Sequence, residues 1–553
     1  MRKITIGILL SLLVAALIGG GIYLVKYKPN EEVIAFSHEN YLIIEDVLIE
    51  DGEPVILMDD DIYFSYEVLK TYIDEDIFYD KAEKMLILTN ERYVKRFIVD
   101  ENEASINSRP FLIDNPIRII DDKLYVPLDL FKDDYEISVA YYPETMAVVV
   151  DYRDRYYLDG EVILEGASIR ADLDIKAPKL LSNMEIATKV YVYGEYENWY
   201  KVRTLDGIPG FMEKKYLMLN HTKDKYKTEL IDRPTEKEDR PLINLTWDYT
   251  YRKLTNTGNI GPIEGVNVLS PTWFSITDAD GTIYDKGNRE YVRKYRELGY
   301  EIWPLIDNSF DPDLTYELLI SSRKREGLIK RILDIYLDYG FQGINIDFEN
   351  IHLKDKDLLT QFLRELYPVF KEEGLYVSMA VSPISTSENW SLSFDRERLK
   401  EATDYLMLMA YDQHWATSPV AGSVAQYSWV EASLKRVLEI IPNEQLILGV
   451  PYYTRLWIEE EGQLRSQALS METANRFIQE YNIDLIWDDE SKQYYGEVRK
   501  DNKFYRIWLE NSQSLEYKAS LVNKYELAGI ASWRKGFETE DIWTAIYRTI
   551  NGL

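Results

Sequence analysis

The chain of 553 residues contains no cysteine. Disulfides, thiolate nucleophiles and cysteine metal sites are therefore excluded. Histidine is nearly absent as well: there are four, at His38, His221, His352 and His414. None stands in an HExxH-type spacing, so the sequence offers no metal site, and no cofactor is expected. Basic residues are in deficit, with 64 Lys and Arg against 95 Asp and Glu and a formal net charge of -31. That balance disfavours nucleic acid, because phosphate binding needs clustered Lys and Arg. What the chain has in quantity is aromatic, with 44 Tyr and 12 Trp. This suits folded domains and also fits carbohydrate surfaces, although most such rings serve core and strand packing. A chain of this length is too long for one core, so two to four domains are expected. The oligomeric state is not specified.

The first 30 residues carry the longest apolar run. Ile4 to Val25 is 22 residues without a charge, long enough to cross a bilayer. The run continues through "GGGIYLV" to Lys26 without a small-x-small cleavage site, so an uncleaved membrane anchor is the preferred reading, with a cleaved signal peptide and secretion as its rival. Flanking charge is nearly balanced and specifies orientation weakly. The modules that follow point to an extracytoplasmic location.

Residues 35–153 hold an internal repeat. "IYFSYEVLKTYIDEDIFYDKAEKMLILT" from Ile62 lies over "LYVPLDLFKDDYEISVAYYPETMAVVVD" from Leu124 without a gap. Each copy reads as a short strand, a helix and a hairpin, which predicts a compact duplicated α+β domain. It resembles the small domain named after the N-terminus of copper amine oxidases, a name that implies no copper here. Residues 157–219 read as a β module of short alternating strands broken at Gly and Asn. Its run "ENWYKVRTLDGIPGFMEKKYL" resembles the closing half of a bacterial SH3-like domain, a family that typically binds cell-wall peptides or packs against a catalytic domain. Residues 220–240 are more than half charged and read as a linker.

From residue 241 to 553 strands alternate with amphipathic helices. The strand candidates are "PLINLTWDY", "GVNVLSPTWFSI", "YEIWPLID", "GINIDFEN", "LYVSMAVSP", "YLMLMAYD", "QLILGVPYYTRLW" and "AGIASWRKG". Eight such units predict a (β/α)8 TIM barrel. The gap before the last strand holds "LIWDDESKQYYGEVRKDNKFYRIWLE", which predicts a small inserted β-rich subdomain. In the fourth strand, Asn345, Asp347 and Glu349 share one face, while Ile344, Ile346 and Phe348 share the other. In a barrel the polar set points inward, with Glu349 at the carboxyl end where such barrels place their sites. Two inward carboxylates this close cannot both ionise cheaply, so one is expected to hold a proton near neutral pH.

"GINIDFEN" resembles the fourth-strand signature of glycoside hydrolase family 18, DGxDxDxE. Glu349 matches the acid, Asp347 the middle carboxylate and Asn345 the first Asp of the triplet, while Gln342 replaces the leading Asp. Asn345 at this position also resembles the bacterial spore-type and peptidoglycan-type members. "MLMAYDQHW" is similar to the sixth-strand motif, "LGVPYYTRLW" to the seventh-strand motif, and "GIASWRKG" carries the eighth-strand Trp. The resemblance implies catalytic roles for Glu349, Asp347 and Tyr411. It further implies a substrate-binding set of Asn345, Met409, Asp412, Trp415, Tyr453, Arg455 and Trp533; a structural histidine is the expectation for His414. The implied reaction is retaining and substrate-assisted, the 2-acetamido group of the sugar acting as nucleophile.

Two classes of function follow. One is a membrane-anchored hydrolase of β-1,4 bonds next to N-acetylglucosamine, in peptidoglycan first and in chitin or chito-oligosaccharides second. The other is an inactive barrel serving as a wall-binding lectin. Intact Glu349, Asp347 and Tyr411 favour the enzyme.

Overall fold

The computed structural model describes residues 2–26, 28–34, 41–50, 52–58, 61–220, 223–224, 240–253 and 260–553. His38 and His221 lie outside them. So does the expected linker over 220–240, apart from its ends and Lys223–Asp224, which pair with Tyr156–Tyr157. The chain divides into two compact units. One comprises Met1–Ile77, Phe97–Glu103 and Leu112–Glu236; the other comprises Phe78–Arg96, Ala104–Phe111 and Lys237–Leu553.

In the first unit, Arg2–Lys26 is a helix of 25 residues. Many of its side chains are outside the described residues. Among the described residues no helix is long and apolar enough to cross a membrane. The repeat is realised through its matching strands: Asp61–Ser65 pairs antiparallel with Lys123–Pro127, the two corresponding segments of the copies. The helices expected within the copies are short, spanning Tyr66–Ile73 and Leu128–Leu130. The β module forms a sheet ordered 179–184, 167–170, 209–213, 199–204, 189–195, 156–162, 217–219. Val162, Ile169, Val190, Val202 and Met212 make its core. Arg203 is buried and donates to both oxygens of Asp151, at 2.8 and 3.2 Å, and to the Glu45 carbonyl at 2.5 Å. A guanidinium out of water needs such a set of acceptors.

The second unit is built on a closed barrel of eight parallel strands. These are β1 (Ile243–Asp248), β2 (Val268–Ile276), β3 (Leu305–Asp307), β4 (Gly343–Asp347), β5 (Tyr376–Val381), β6 (Tyr405–Met409), β7 (Leu446–Pro451) and β8 (Gly529–Trp533). Each pairs with the next, and β8 closes on β1. Closure depends on Gly529, where a Cβ would overlap the Ile243 carbonyl. The barrel interior is packed by Leu245, Trp247, Trp303, Leu305, Met407, Ile447 and Ala531. All eight strand candidates of the sequence are barrel strands.

The insertion is larger than the segment from Leu485 that the sequence marks out. Tyr453–Glu460 leaves the barrel wall directly after β7 and pairs with Gln463–Ser470 and Lys503–Leu509. With Gln493–Lys500 and Leu485–Asp488 these make a five-stranded antiparallel sheet, against which the helix Met471–Tyr481 packs through Ala474, Phe477 and Ile478. The same unit also takes in residues 78–96 and 104–111. Their strands join a five-stranded sheet from Phe78 to Leu112, whose first two strands pair antiparallel. The hairpin of the first repeat copy thus belongs with the barrel, whereas its counterpart at 137–152 belongs to the first unit.

Candidate active site

The helix Ser322–Tyr339 delivers the chain to β4. Ser321 caps its first turn, accepting from Lys324 N–H at 3.2 Å, and Gly340 ends it in the left-handed region at φ 72°. Only a residue without a Cβ adopts that conformation freely. Leu328, Ile329, Ile332 and Tyr336 form its buried stripe. β4 then alternates. Ile344, Ile346 and Phe348 are fully buried, and Phe348 stacks on Phe362 of the helix Lys356–Glu372 at 5.6 Å between centroids. Burying each of these side chains contributes on the order of 2 kcal/mol, which fixes the register and turns the polar residues toward the barrel axis.

Asn345 is the lowest of the polar set. Its Oδ1 accepts the Trp247 indole N–H at 2.8 Å, and its Nδ2 donates to Ser378 Oγ at 3.3 Å and faces Met407 Sδ at 3.4 Å. Its amide is fully engaged with the barrel floor. Above it stands Asp347, pushed up to about 7 by burial and by the charge of Asp307. Glu349 follows at the mouth. Burial raises its carboxyl well above the usual range, and the charges of Asp347, Asp412 and Asp307 raise it further. Its main chain is held by Asn308, whose Oδ1 accepts Glu349 N–H at 3.1 Å and whose Nδ2 donates to Glu349 O at 2.9 Å. Asn308 also donates to Thr315 Oγ1 at 2.9 Å.

Opposite stands the segment after β6. Met409 ends the strand and Tyr411 follows. Burial pushes the Tyr411 hydroxyl well above its ordinary value, and Asp347, Tyr453, Glu349 and Asp412 add to this. The phenol therefore stays protonated and can donate. Asp412 turns the chain at φ 55° and accepts from Tyr453 OH at 2.5 Å and Arg455 Nη2 at 2.9 Å. Those two residues are the first of the insertion, so the sheet that leaves the barrel at Tyr453 anchors the loop that carries Tyr411. Tyr411 and Tyr453 meet edge to face at 6.5 Å. Trp533 ends β8, packed edge-on against Trp247 at 5.9 Å and Tyr249 at 6.1 Å.

The structure thus gathers nine of the ten sequence-derived site residues at the carboxyl end of the barrel or on its floor. Trp415 stands apart. It is 52% exposed and donates to Thr417, on the loop beyond Asp412. His414 faces the Ser423 carbonyl at 2.8 Å. Among the described residues no cluster of three or more acidic or His side chains is arranged to hold a metal. Sequence reasoning missed Asp307, Asn308 and Tyr249. Each lies at or just past the carboxyl end of a barrel strand, and that position was the available signal.

Residues 274–537 match the family model Glycosyl hydrolases family 18, and residues 43–150 match Copper amine oxidase N-terminal domain. A protein of Bacillus subtilis (strain 168) whose name describes a sporulation-specific glycosylase is 28% identical over 235 residues, 42% of this chain and 55% of that one. The cortical fragment-lytic enzyme of the same organism is 24% identical over 253 residues, 45% of this chain and 58% of its own length. The chain spans little more than half the length of these two relatives. The solved chitinase of Chromobacterium violaceum superposes with a TM-score of 0.50 at 21% identity, covering 56% of this chain and 99% of that one, a likeness of fold. The chain therefore carries a segment, residues 274–537, that matches glycoside hydrolase family 18 and is similar to chitinases and spore cortex-lytic enzymes, and a segment, residues 43–150, that matches the copper amine oxidase N-terminal domain.

Proposed function

We propose that the chain cleaves β-1,4 bonds next to N-acetylglucosamine in cell-wall peptidoglycan by a retaining, substrate-assisted mechanism. The observation that carries this is the stack of Asp347 and Glu349 at the barrel mouth, both shifted upward by burial and by neighbouring carboxylates, facing a protonated Tyr411. A carboxyl held protonated near neutrality is what a general acid requires. Glu349 gives its proton to the glycosidic oxygen as that bond breaks. The 2-acetamido oxygen of the same sugar attacks the anomeric carbon and forms an oxazolinium ion. Asp347 orients the acetamido group and stabilises charge on its nitrogen, and Tyr411 donates to its oxygen. Water then attacks from the face the leaving group vacated, giving its proton to Glu349, and the configuration is retained. Trp533 forms the floor beneath the sugar. Met409, Asp412, Tyr453 and Arg455 line the site, and Trp415 lies at its rim.

Digestion of purified muropeptides and of chito-oligosaccharides, followed by product analysis, separates the two substrates. The wall glycan is expected to be cleaved with higher kcat/KM, and a marked preference for chito-oligosaccharides transfers the assignment to chitin. A cyclic thiazoline analogue of N-acetylglucosamine is expected to inhibit, because it mimics the oxazolinium ion. Glycan carrying free glucosamine at the reacting position is expected to resist. Its efficient cleavage excludes substrate assistance.

The run from Ile4 to Val25 supports a further part of this reading: the chain is held at the cell membrane with its barrel outside. The SH3-like character of residues 157–219 fits a wall-facing stalk. Protease added to intact protoplasts is expected to degrade the barrel while the N-terminal peptide stays with the membrane fraction. Full protection shows the opposite orientation. Release into the medium with a new N-terminus near residue 30 shows a cleaved signal peptide.

A further inference from the structure

Asp307 has no part in the steps above, yet it closes β3 beside the reacting carboxyls. In the parallel ladder Asp307 pairs with Asp347, as Leu305 pairs with Asn345 one layer below. Equal height and the same parity put the two aspartate side chains next to each other on the inner wall. Donors converge on Asp307: Ser275 Oγ–H reaches Oδ2 at 2.8 Å and Ser309 N–H reaches Oδ1 at 2.8 Å. Burial raises Asp307 above its ordinary value, and these donors together with the Lys286 ammonium, itself held to the Thr250 carbonyl at 2.9 Å, pull it back toward the charged form. Beneath Asp347, by contrast, the Asn345 amide is neutral and engaged by Trp247, Ser378 and Met407. Of two adjacent carboxyls, the charge settles where donors converge and the proton stays on the other.

We propose that Asp307 is a positioning residue of the glycosidase site, a fixed anion that keeps a proton on the Asp347–Glu349 pair into the neutral range. This rests on the reading of Glu349 as the general acid. The groups that face the pair are Asp307 on β3, and Tyr411 and Asp412 after β6, with Lys286 beside Asp307 and Arg455 joined to Asp412. Burial and then the charge of Asp307 raise Asp347 to about 7, and Asp307 is among the charges that raise Glu349. The basic limb of the rate profile reports loss of the acid's proton. Asp307 extends that limb upward, and Lys286 supports it by favouring the Asp307 charge.

The test is the pH dependence of kcat/KM on a chromogenic chito-oligosaccharide for the whole chain and its Asp307→Asn variant. Asn has the shape of Asp and can still accept one of the two hydrogen bonds. The expected result is a basic limb moved down by about one pH unit, with the rate on the acid side of the optimum changed only a few-fold. A uniform loss at every pH with the limb unmoved is the mark of a merely structural residue and overturns the proposal. If Asp307→Asn does not fold, Lys286→Met is read instead. Its limb is expected to move downward, because Asp307 loses the cation that helps hold its charge, and an unmoved limb overturns the proposal. A readout free of catalysis separates this from the function itself. Asp347→Asn is expected to raise the melting temperature of the whole chain increasingly as pH rises toward about 7, and to do so less in the Asp307→Asn background. An equal gain in both backgrounds overturns the proposal even for a chain that cleaves none of the substrates offered.

Discussion

Glu349→Gln is expected to lower kcat by a factor on the order of a thousand or more, since one residue loses both its acid and its base role. That corresponds to about 4 kcal/mol of transition-state stabilisation. The change leaves the packing alone. Gln has the same shape, and the two hydrogen bonds with Asn308, one accepted and one donated by it, involve the main chain of residue 349 and not its carboxyl. The sign of the stability effect distinguishes this variant from one that is simply damaged. The folded-state pKa of Glu349 is raised by burial and by Asp347, Asp412 and Asp307. A group raised in this way stabilises the fold fully below its unfolded value of about 4.3 and loses that contribution as pH rises toward the folded value. Gln does not ionise, so the variant is expected to melt no lower than the parent at about pH 5 and higher at about pH 8. Circular dichroism melts at the two pH values, beside turnover of muropeptides, check both halves. Near-parental turnover in a folded variant removes Glu349 from the mechanism.

The barrel was legible because its signals are local. Each strand is a short apolar run, and the helix Ser322–Tyr339 is punctuated by a serine cap and Gly340 at φ 72°. The polar triplet of β4 was legible for the same reason, as a period of two inside a buried strand. Where the sequence misled, the determinant was distant. Tyr453 to Trp457 reads as a continuation of β7, since an extended run looks alike whether it stays in the barrel wall or leaves it. The departure after Tyr452 is fixed by pairing with Gln463–Ser470 and Lys503–Leu509. Asp307 and Asn308 escaped notice because "LIDNSF" matches no motif. Their importance comes from register with β4 and from contact with residue 349, neither of which a single strand displays. Trp415 follows a recognised motif on a loop that leaves it exposed, as a residue at the rim is.

Arg96→Met is expected to destabilise the barrel unit by about 3 kcal/mol or more, although Arg96 lies far outside the barrel sequence. Its partner is Glu365 on the helix Lys356–Glu372, 269 residues away. Glu365 is wholly buried and accepts from Arg96 Nη2 at 2.8 Å, Arg325 Nε at 2.9 Å and Gln361 Nε2 at 3.0 Å. Arg325 in turn donates to the Leu319 carbonyl and Ser322 Oγ, and Ser322 donates to Asp80 Oδ2 at 2.7 Å. Phe78 lies under the Arg325 guanidinium. Removing Arg96 takes from the buried Glu365 one of the two guanidinium groups that offset its desolvation, which costs far more than an exposed ion pair contributes. The pH dependence follows from the shift. Burial pushes Glu365 up, but Arg325 and Arg96 together outweigh it and hold the carboxyl below its ordinary value. A depressed carboxyl stabilises the fold above its unfolded value of about 4.3, and that contribution is lost as pH falls through the folded value. With Arg96 gone the folded value climbs. The midpoint of acid unfolding is therefore expected at higher pH than in the parent, alongside the lower melting temperature near neutrality. The triple change Arg96→Met, Arg325→Met and Glu365→Leu removes all three charges at once and is expected to recover most of the loss, because well-packed apolar residues replace such a set at little cost. Melting temperatures of the parent, single and triple variants decide the matter. A single variant that melts with the parent shows that the Arg96–Glu365 contact adds nothing to the stability of the barrel unit.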